Sequence, residues 1–190
     1  INRHHLEILK KHTERLINIV QDLLLLSELE DEKVKLELEE VNLKHLLKDT
    51  LRIFEQKAKE KGLKLELKAG DDIIILADAF KLEQMFINLI DNAIKYTEKG
   101  KIEVSITSKE NLVAIEVKDT GIGIPKKHIS RIFERFYVVD KSHSRKLGGT
   151  GLGLSIVKHI VSLHNGKIDI ESTQGLGTRF TILLPVNPSY

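Results

Sequence analysis

The sequence predicts an α/β fold, a two-layer sandwich of one mixed sheet covered by helices on one face and preceded by a long helix. Three observations carry this expectation. Short runs such as LKLELK, KIEVSIT and LVAIEVK alternate apolar and polar residues, which is strand periodicity. Between them lie longer segments whose apolar residues recur at helical spacing. Strands and helices are interspersed with hairpins rather than ordered as strict βαβ units. With 190 residues, 41% of them hydrophobic, the chain can bury one ordinary core and carry an appendage.

The elements follow in order. From Leu6 to Ser27 an apolar seam runs Leu6, Leu9, Thr13, Leu16, Val20, Leu23, Ser27, in steps of three and four. Ile8, Ile17, Ile19, Leu24 and Leu26 widen that surface, so this helix belongs in a bundle rather than alone on a globule. VKLELEEV, from Val34, alternates as a strand. A helix over about Leu43 to Lys61 carries Leu46, Leu47, Thr50, Leu51, Phe54 and Ala58, and Gly62 ends it. LKLELK and IIILA read as strands. Asp78 stands at an N-cap before a helix with the stripe Leu82, Met85, Phe86, Leu89, Ala93, Tyr96. KIEVSIT and LVAIEVK make a hairpin, a short helix lies near Lys127 to Phe136, and a polar loop spans Val139 to Leu147. A helix from Leu152 to His164 stops at Asn165-Gly166, and KIDIES and TRFTILLP supply the last strands. Two domains are expected, a helix over 1–31 and an α/β domain over 32–190.

Composition narrows the function. Charged residues are 31% of the chain but sum to +2, which leaves no electrostatic footprint for nucleic acid. With no cysteine, disulfides and thiolate metal sites are excluded. The eight histidines are scattered, without metal-ligand spacing. No apolar run approaches the ~20 residues that span a bilayer. Because the chain begins at Ile1, inside a helix, it is expected to be a fragment with segments upstream.

Nine of the twelve glycines fall between Gly121 and Gly177, eight of them in DTGIGIP, LGGTGLGLS and TQGLGT. A Walker loop is excluded, since Gly153 is followed by Leu154 and Ser155 rather than Lys. A dinucleotide fingerprint is excluded too: the third glycine place holds Lys126 after Gly121 and Gly123, and Ile156 after Gly151 and Gly153. What remains is a strand ending in Asp119, a glycine turn, a polar lid and a glycine-rich helix start, which offers unpaired N–H groups to phosphate. In NLIDNAIKY, Asn88, Asn92 and Lys95 lie at i, i+4 and i+7, one line beside the core stripe. An asparagine carbonyl suits Mg²⁺, which completes its shell with phosphates and water. Lys95 adds a point charge for phosphate.

NLIDNAIKY, DTGIGIP, FERFY, GGTGLGLSIV and GLGTRF, in this order, resemble the N box, the F box and the three G boxes of sensor histidine kinases of two-component systems. The resemblance covers about Val34 to Pro185. It implies the GHKL (gyrase, Hsp90, histidine kinase, MutL) ATP-binding fold, with ATP and Mg²⁺ as cofactors. By resemblance Asn92 holds Mg²⁺, Asn88 assists at metal and phosphates, Lys95 contacts phosphate, and Tyr96 lies against adenine and ribose. Asp119 accepts from the adenine amino group, while Gly121, Gly123 and Ile124 shape that pocket together with Thr178. Gly149, Thr150, Gly151, Leu152, Gly153 and Leu154 form the phosphate-facing helix start, and Phe133 and Phe136 anchor the lid. It further implies a cognate response regulator as partner, a homodimer through the N-terminal helix, and the cytoplasmic portion of a membrane-anchored sensor kinase.

Within that superfamily, ATPases place Glu one turn before the metal-binding Asn, as the base for water. Asn88 holds that place here and cannot take up a proton, which points to transfer to another nucleophile. A GHKL ATPase, an anti-sigma-factor-type serine kinase and a nucleotide-binding scaffold without transfer stay as alternatives. Two departures from the family pattern stand out. Val138 follows FERFY where Arg is common, so a phosphate contact is either missing or supplied by Lys141, Arg145 or Lys146. His4, His5 and His12 lack the acceptor context of an acidic residue and a following Thr-Pro or Asn-Pro pair. The first helix therefore resembles the second dimerisation helix of the family, with the acceptor helix absent.

Overall fold

The computed structural model describes residues 3–31, 33–140 and 148–187. Helix α1 spans Arg3–Leu29, followed by β1 (Glu39–Asn42), α2 (Leu43–Glu60), β2 (Leu63–Ala69), β3 (Ile74–Ala77) and α3 (Ala79–Tyr96). Then come β4 (Gly100–Lys109), β5 (Leu112–Asp119), the short α4 (Lys126–Ile129), α5 (Gly153–Leu163), β6 (Lys167–Thr173) and β7 (Gly177–Pro185). Among the described residues no helix is long and apolar enough to cross a membrane.

Five strands form a mixed sheet in the order β2-β4-β5-β7-β6, in which only β2 and β4 run parallel. β1 and β3 form a separate antiparallel ribbon. Within the main sheet the two faces divide with a period of two. Ile102, Val104 and Ile106 of β4, Val113, Ile115 and Val117 of β5, and Phe180, Ile182 and Leu184 of β7 are buried. Charges fill the opposite face, where Glu103 accepts from Lys101 at 2.8 Å and Lys68 Nζ lies 2.8 Å away. Those two lysines draw the Glu103 carboxyl down to about 2. Such an open charged face is what an antiparallel sheet tolerates and a covered one does not.

The helices α2, α3 and α5 cover the buried face, with α3 in the middle touching both of its neighbours. Leu82, Met85, Phe86, Leu89 and Ile90 of α3 are fully enclosed. By contrast α1 meets the domain only along its C-terminal part among the described contacts. Leu26 and Leu29 are buried, whereas Leu9 (59% exposed) and Leu16 (63%) of the seam, and Leu24 (67%) beside it, stand in solvent. Lys81, with 7% of its side chain exposed, reaches Glu28 Oε1 at 2.8 Å, and Glu30 pairs with Arg135 and with His159 Nε2 at 3.2 Å.

Two elements differ from expectation. In VKLELEEV the alternation is present as half-buried Val34, Leu36 and Leu38, but residues 34–38 make no ladder and β1 starts at Glu39. Its partner β3 ends at Ala77, because Asp78 turns to cap α3, and Asp78 Oδ2 takes the Glu37 N–H at 3.1 Å instead. The helix expected from Lys127 to Phe136 is a single turn, Lys126–Ile129, followed by turns. No side chain caps it, and Phe136 has φ +59°, which a helix cannot continue through.

Asp78 sits at a junction. Its Oδ1 accepts the Lys81 N–H at 3.0 Å, the expected N-cap, and its own N–H donates to His164 Nε2 at 3.1 Å. The His164 Nδ1 lies 2.8 Å from the Ile160 carbonyl, which only accepts, so the ring is the neutral tautomer with its proton on Nδ1. Burial pushes the His164 pKa below its ordinary 6.5, against the Ile160 carbonyl. The unfolded chain therefore binds the extra proton first, and this stabilising contribution is full above pH ~6.5 and declines as pH falls below it. In urea titrations from pH 8 to pH 5, the stability advantage of the parent over His164→Phe should shrink below pH ~6.5. An advantage constant across that range would remove His164 as the titrating group.

Candidate active site

A cavity of about 550 Å³ opens between α3, the end of β5, the start of α5 and the Tyr137–Asp140 segment, with α1 closing one side through Asn18 and Asp22. From α3 it is lined by Gln84, Asn88, Asp91, Asn92, Lys95 and Tyr96. The same helix buries Leu89, Ala93 and Ile94 in the core, so its rigid register aims the polar line into the cavity. Asn88 Nδ2 donates to the Gln84 carbonyl at 2.9 Å. Its Oδ1 lies 2.5 Å from where a Cβ on Gly153 would be, so α5 closes on α3 only because residue 153 has no side chain.

Lys95 lines the cavity, but its charge is engaged. Its Nζ is 2.6 Å from Asp91 Oδ2, while Lys57 of α2 reaches Asp91 Oδ1 at 2.5 Å. Burial alone would raise the Asp91 pKa; the two lysines outweigh it and hold the carboxyl below its ordinary value. Asp91 thus stays ionised and shares two cations.

At the end of β5, buried Asp119 accepts on Oδ1 from the Gly121 N–H at 2.8 Å and the Thr178 N–H at 3.3 Å. Both bonds end on one oxygen, which leaves Oδ2 for a donor in the cavity. Burial raises the Asp119 pKa, and the two amides counter it. Ser172 Oγ takes the Ile124 N–H at 2.7 Å and lies 2.9 Å from Thr178 Oγ1, tying the Gly121–Ile124 turn to β6 and β7. The turn is also fastened to α3, since the Ile122 N–H donates to the Tyr96 carbonyl at 3.1 Å.

The start of α5 carries no side-chain cap at Leu152, so its first amides are available to an anion. Gly149, Thr150, Gly151, Gly153 and Leu154 line the cavity there, together with Gly123, Ile124 and Thr178 from the other wall. Gly121 and Leu152 do not line it: Leu152 is wholly buried, and Gly121 lies beneath the turn against Tyr96, Thr97 and Asp119. The expected lid anchors divide. Phe133 packs on the core, but Phe136 is 56% exposed, and its backbone is what touches Gly151. Lys141, Arg145, Lys146 and His143 lie outside the described residues. Sequence reasoning missed Asp22, Asn18 and Asp91. For Asp91 the signal was present, an acid four residues before Lys95 on the same face. For Asp22 it was weaker, one carboxylate inside the apolar run IVQDLLLL.

A Cβ on Gly121 would lie 2.3 Å from the Tyr96 carbonyl oxygen, which is backbone and cannot rotate away. Gly121→Ala should therefore push the turn off α3, lower stability by about 1–3 kcal/mol, and break the alignment of Asp119. Chemical denaturation measures the loss; unchanged stability would mean that the turn moves freely.

The comparisons with known proteins agree with this geometry. Residues 77–188 match the family described as histidine kinase-, DNA gyrase B-, and HSP90-like ATPase. The chain is 39% identical to the sensor histidine kinase WalK of Bacillus subtilis over 95% of its own length and 30% of that protein's. It is 36% identical to the circadian input-output histidine kinase CikA of Synechococcus elongatus, over 96% of this chain and 25% of CikA. The chain thus spans about a third or less of these relatives. Among solved structures, the catalytic domain of histidine kinase ThkA superposes with a TM-score of 0.72 at 31% identity, covering 80% of this chain and 98% of that one. Full-length ShkA in complex with AMPPNP gives a TM-score of 0.86 at 28% identity, over 98% of this chain and 39% of ShkA. The chain belongs to the histidine kinase-, DNA gyrase B- and HSP90-like ATPase family, and within it is a histidine kinase catalytic ATP-binding domain with a helix ahead of it.

Proposed function

We propose that this chain binds Mg-ATP in the α3–α5 cavity and donates the γ-phosphoryl group to a histidine on an acceptor helix of a sensor kinase, for relay to a response regulator. Residues 1–31 act as the second dimerisation helix and 32–190 as the catalytic domain. The observation that carries this reading is one cavity holding Asn88, Asn92 and Lys95 on α3, Asp119 at the end of β5, and an uncapped α5 start. Asp119 Oδ2 accepts the adenine amino group, the α5 amides meet the phosphates, and Tyr96 lies along the base and ribose. Lys95 reaches phosphate by sharing its charge with Asp91.

Among the described residues no cluster of His, Asp or Glu could hold a metal by itself. That fits an ion held by the Asn92 carbonyl, phosphate oxygens and water. An ion held there would supply charge neutralisation to the phosphates during transfer. Asn88, neutral and tied to the Gln84 carbonyl, offers no base for water. The exposed seam of α1 supports a homodimer through that helix, the likeness to WalK supports a place in a sensor kinase, and we take the chain as the cytoplasmic portion of a membrane-anchored one.

Adenine recognition can be tested first. Asp119→Asn keeps an oxygen for the two backbone amides but sets an NH₂ against the adenine amino group, which costs about 1–3 kcal/mol. Calorimetry should show weaker binding of ATP and adenosine alike; equal affinity in parent and variant would place the adenine elsewhere.

Transfer is tested by mixing the chain, Mg-ATP and a separate acceptor-helix fragment. Acid-labile phosphate should appear on the fragment, not on His5, His12 or any other histidine of this chain. Asn92→Ala should slow that transfer by about 100-fold or more while the fold survives. Rapid ATP hydrolysis without transfer would favour the ATPase alternative, and stoichiometric self-labelling would make α1 the acceptor helix.

A further inference from the structure

Asp22 belongs to α1, yet its carboxylate reaches into the cavity of the catalytic domain. Its Oδ2 accepts the Thr150 hydroxyl at 2.9 Å, and Thr150 Oγ1 in turn accepts the Leu152 N–H at 3.2 Å. Leu152 is the N-cap of α5. One hydroxyl therefore relays a carboxylate onto the helix start, the place in the fold that attracts an anion.

The charges around Asp22 make this an uneasy seat. Lys95 attracts it, but Lys95 is bound at 2.6 Å to Asp91, which repels it. Burial raises the Asp22 pKa, and the Thr150 hydroxyl and Lys95 only partly counter this. The carboxylate is thus poorly compensated, and an incoming triphosphate would add several negative charges beside it. Other ties lie elsewhere: Glu28–Lys81 near the end of the helix and Glu30–Arg135 just beyond it, and none of those residues lines the cavity. Losing the Asp22 contact leaves them intact, with Leu26 and Leu29 still buried as a pivot.

We propose that Asp22 is a resident anion that competes with nucleotide polyphosphate for the start of α5, so that docking of α1 on Thr150 and binding of ATP oppose each other. This inference rests on the nucleotide reading above. It assigns Asp22 a positioning and regulatory role, not a catalytic one. When ATP fills the site, α1 loses its hold on the glycine segment and pivots about its last two turns. When the site empties, the carboxylate returns and holds the segment in order.

The test is calorimetry of parent and Asp22→Asn with adenosine, AMP, ADP and ATP, each with Mg²⁺ and with EDTA. Asn keeps an oxygen to accept from Thr150 but removes the charge. Binding should tighten with phosphate number in the variant: no change for adenosine, and about 3- to 10-fold for ATP, larger in EDTA and smaller at high salt. Equal ATP affinities in parent and variant would overturn the proposal. So would an equal gain for adenosine and ATP, which would indicate a change of shape rather than charge. Weaker binding of Mg-ATP alone would also overturn it, making Asp22 a metal ligand. If adenosine and ATP bind neither protein, the nucleotide reading falls and takes this inference with it; binding that ignores Asp22 removes only the inference.

Discussion

The direction in which α3 points its side chains depends on where the helix begins, and Asp78 sets that beginning. Each residue turns a helix by about 100°, so a start displaced by one residue would send Asn88 and Asn92 towards a different neighbour. Asp78 prevents this with every hydrogen-bonding group it has available. One carboxylate oxygen caps Lys81, the other takes the Glu37 N–H, and the backbone N–H is given to His164. That last bond links the start of α3 to the end of α5, the other helix that forms the cavity. Both helices bring a buried apolar stripe to the same sheet, so the hydrophobic core supplies the adhesion and Asp78 the register.

Of the four carboxylates that line the cavity among the described residues, Asp22, Asp91 and Asp119 come from three elements, and their surroundings set them different tasks. Asp91, on α3, is flanked by Lys57 and Lys95 and stays ionised despite burial. It fixes the position of Lys95 and joins α2 to the wall of the site. Asp119, at the end of β5, is buried with only backbone amides for company, and those occupy one oxygen. A carboxylate so placed favours a neutral N–H donor, such as an amino group on a base, over a cation. Asp22 comes from outside the α/β domain and has one hydroxyl partner. Residue type alone does not separate these roles; neighbours do.

Much of this was legible in the sequence because it follows from periodicity and local chemistry. The hairpin β4–β5 shows clean alternation, α2 ends at a glycine with positive φ, and the Asp78 cap precedes a stripe at helical spacing. The polar line Asn88, Asn92, Lys95 and the glycines of DTGIGIP and LGGTGLGLS pointed to one cavity, since the close approach seen at Gly123, Gly151 and Gly153 leaves glycine as its trace. What was not legible depended on tertiary partners. VKLELEEV alternates as a strand does, but a ladder needs a partner, and β3 is too short to supply one. Phe136 reads as an anchoring aromatic, yet it stands at a positive φ and is largely exposed. The role of Asp22 depends on a residue 128 positions away, a separation that no local pattern encodes.

Position 88 shows how the core constrains the chemistry. An asparagine there can donate to the Gln84 carbonyl and still lay its oxygen against Gly153, because it is neutral and short. A glutamate would be one methylene longer and would bring a further negative charge into a cavity that already holds Asp22, Asp91 and Asp119. It could not donate to Gln84 unless protonated, and in that state it would not serve as a base. To keep α5 seated on α3, the side chain at 88 must therefore be compact and a donor. Under the proposed nucleotide reading, the same requirement leaves water at the γ-phosphate without a proton acceptor at that position. Tight closure of the two helices, and with it the absence of a base at position 88, thus follow from one amide side chain.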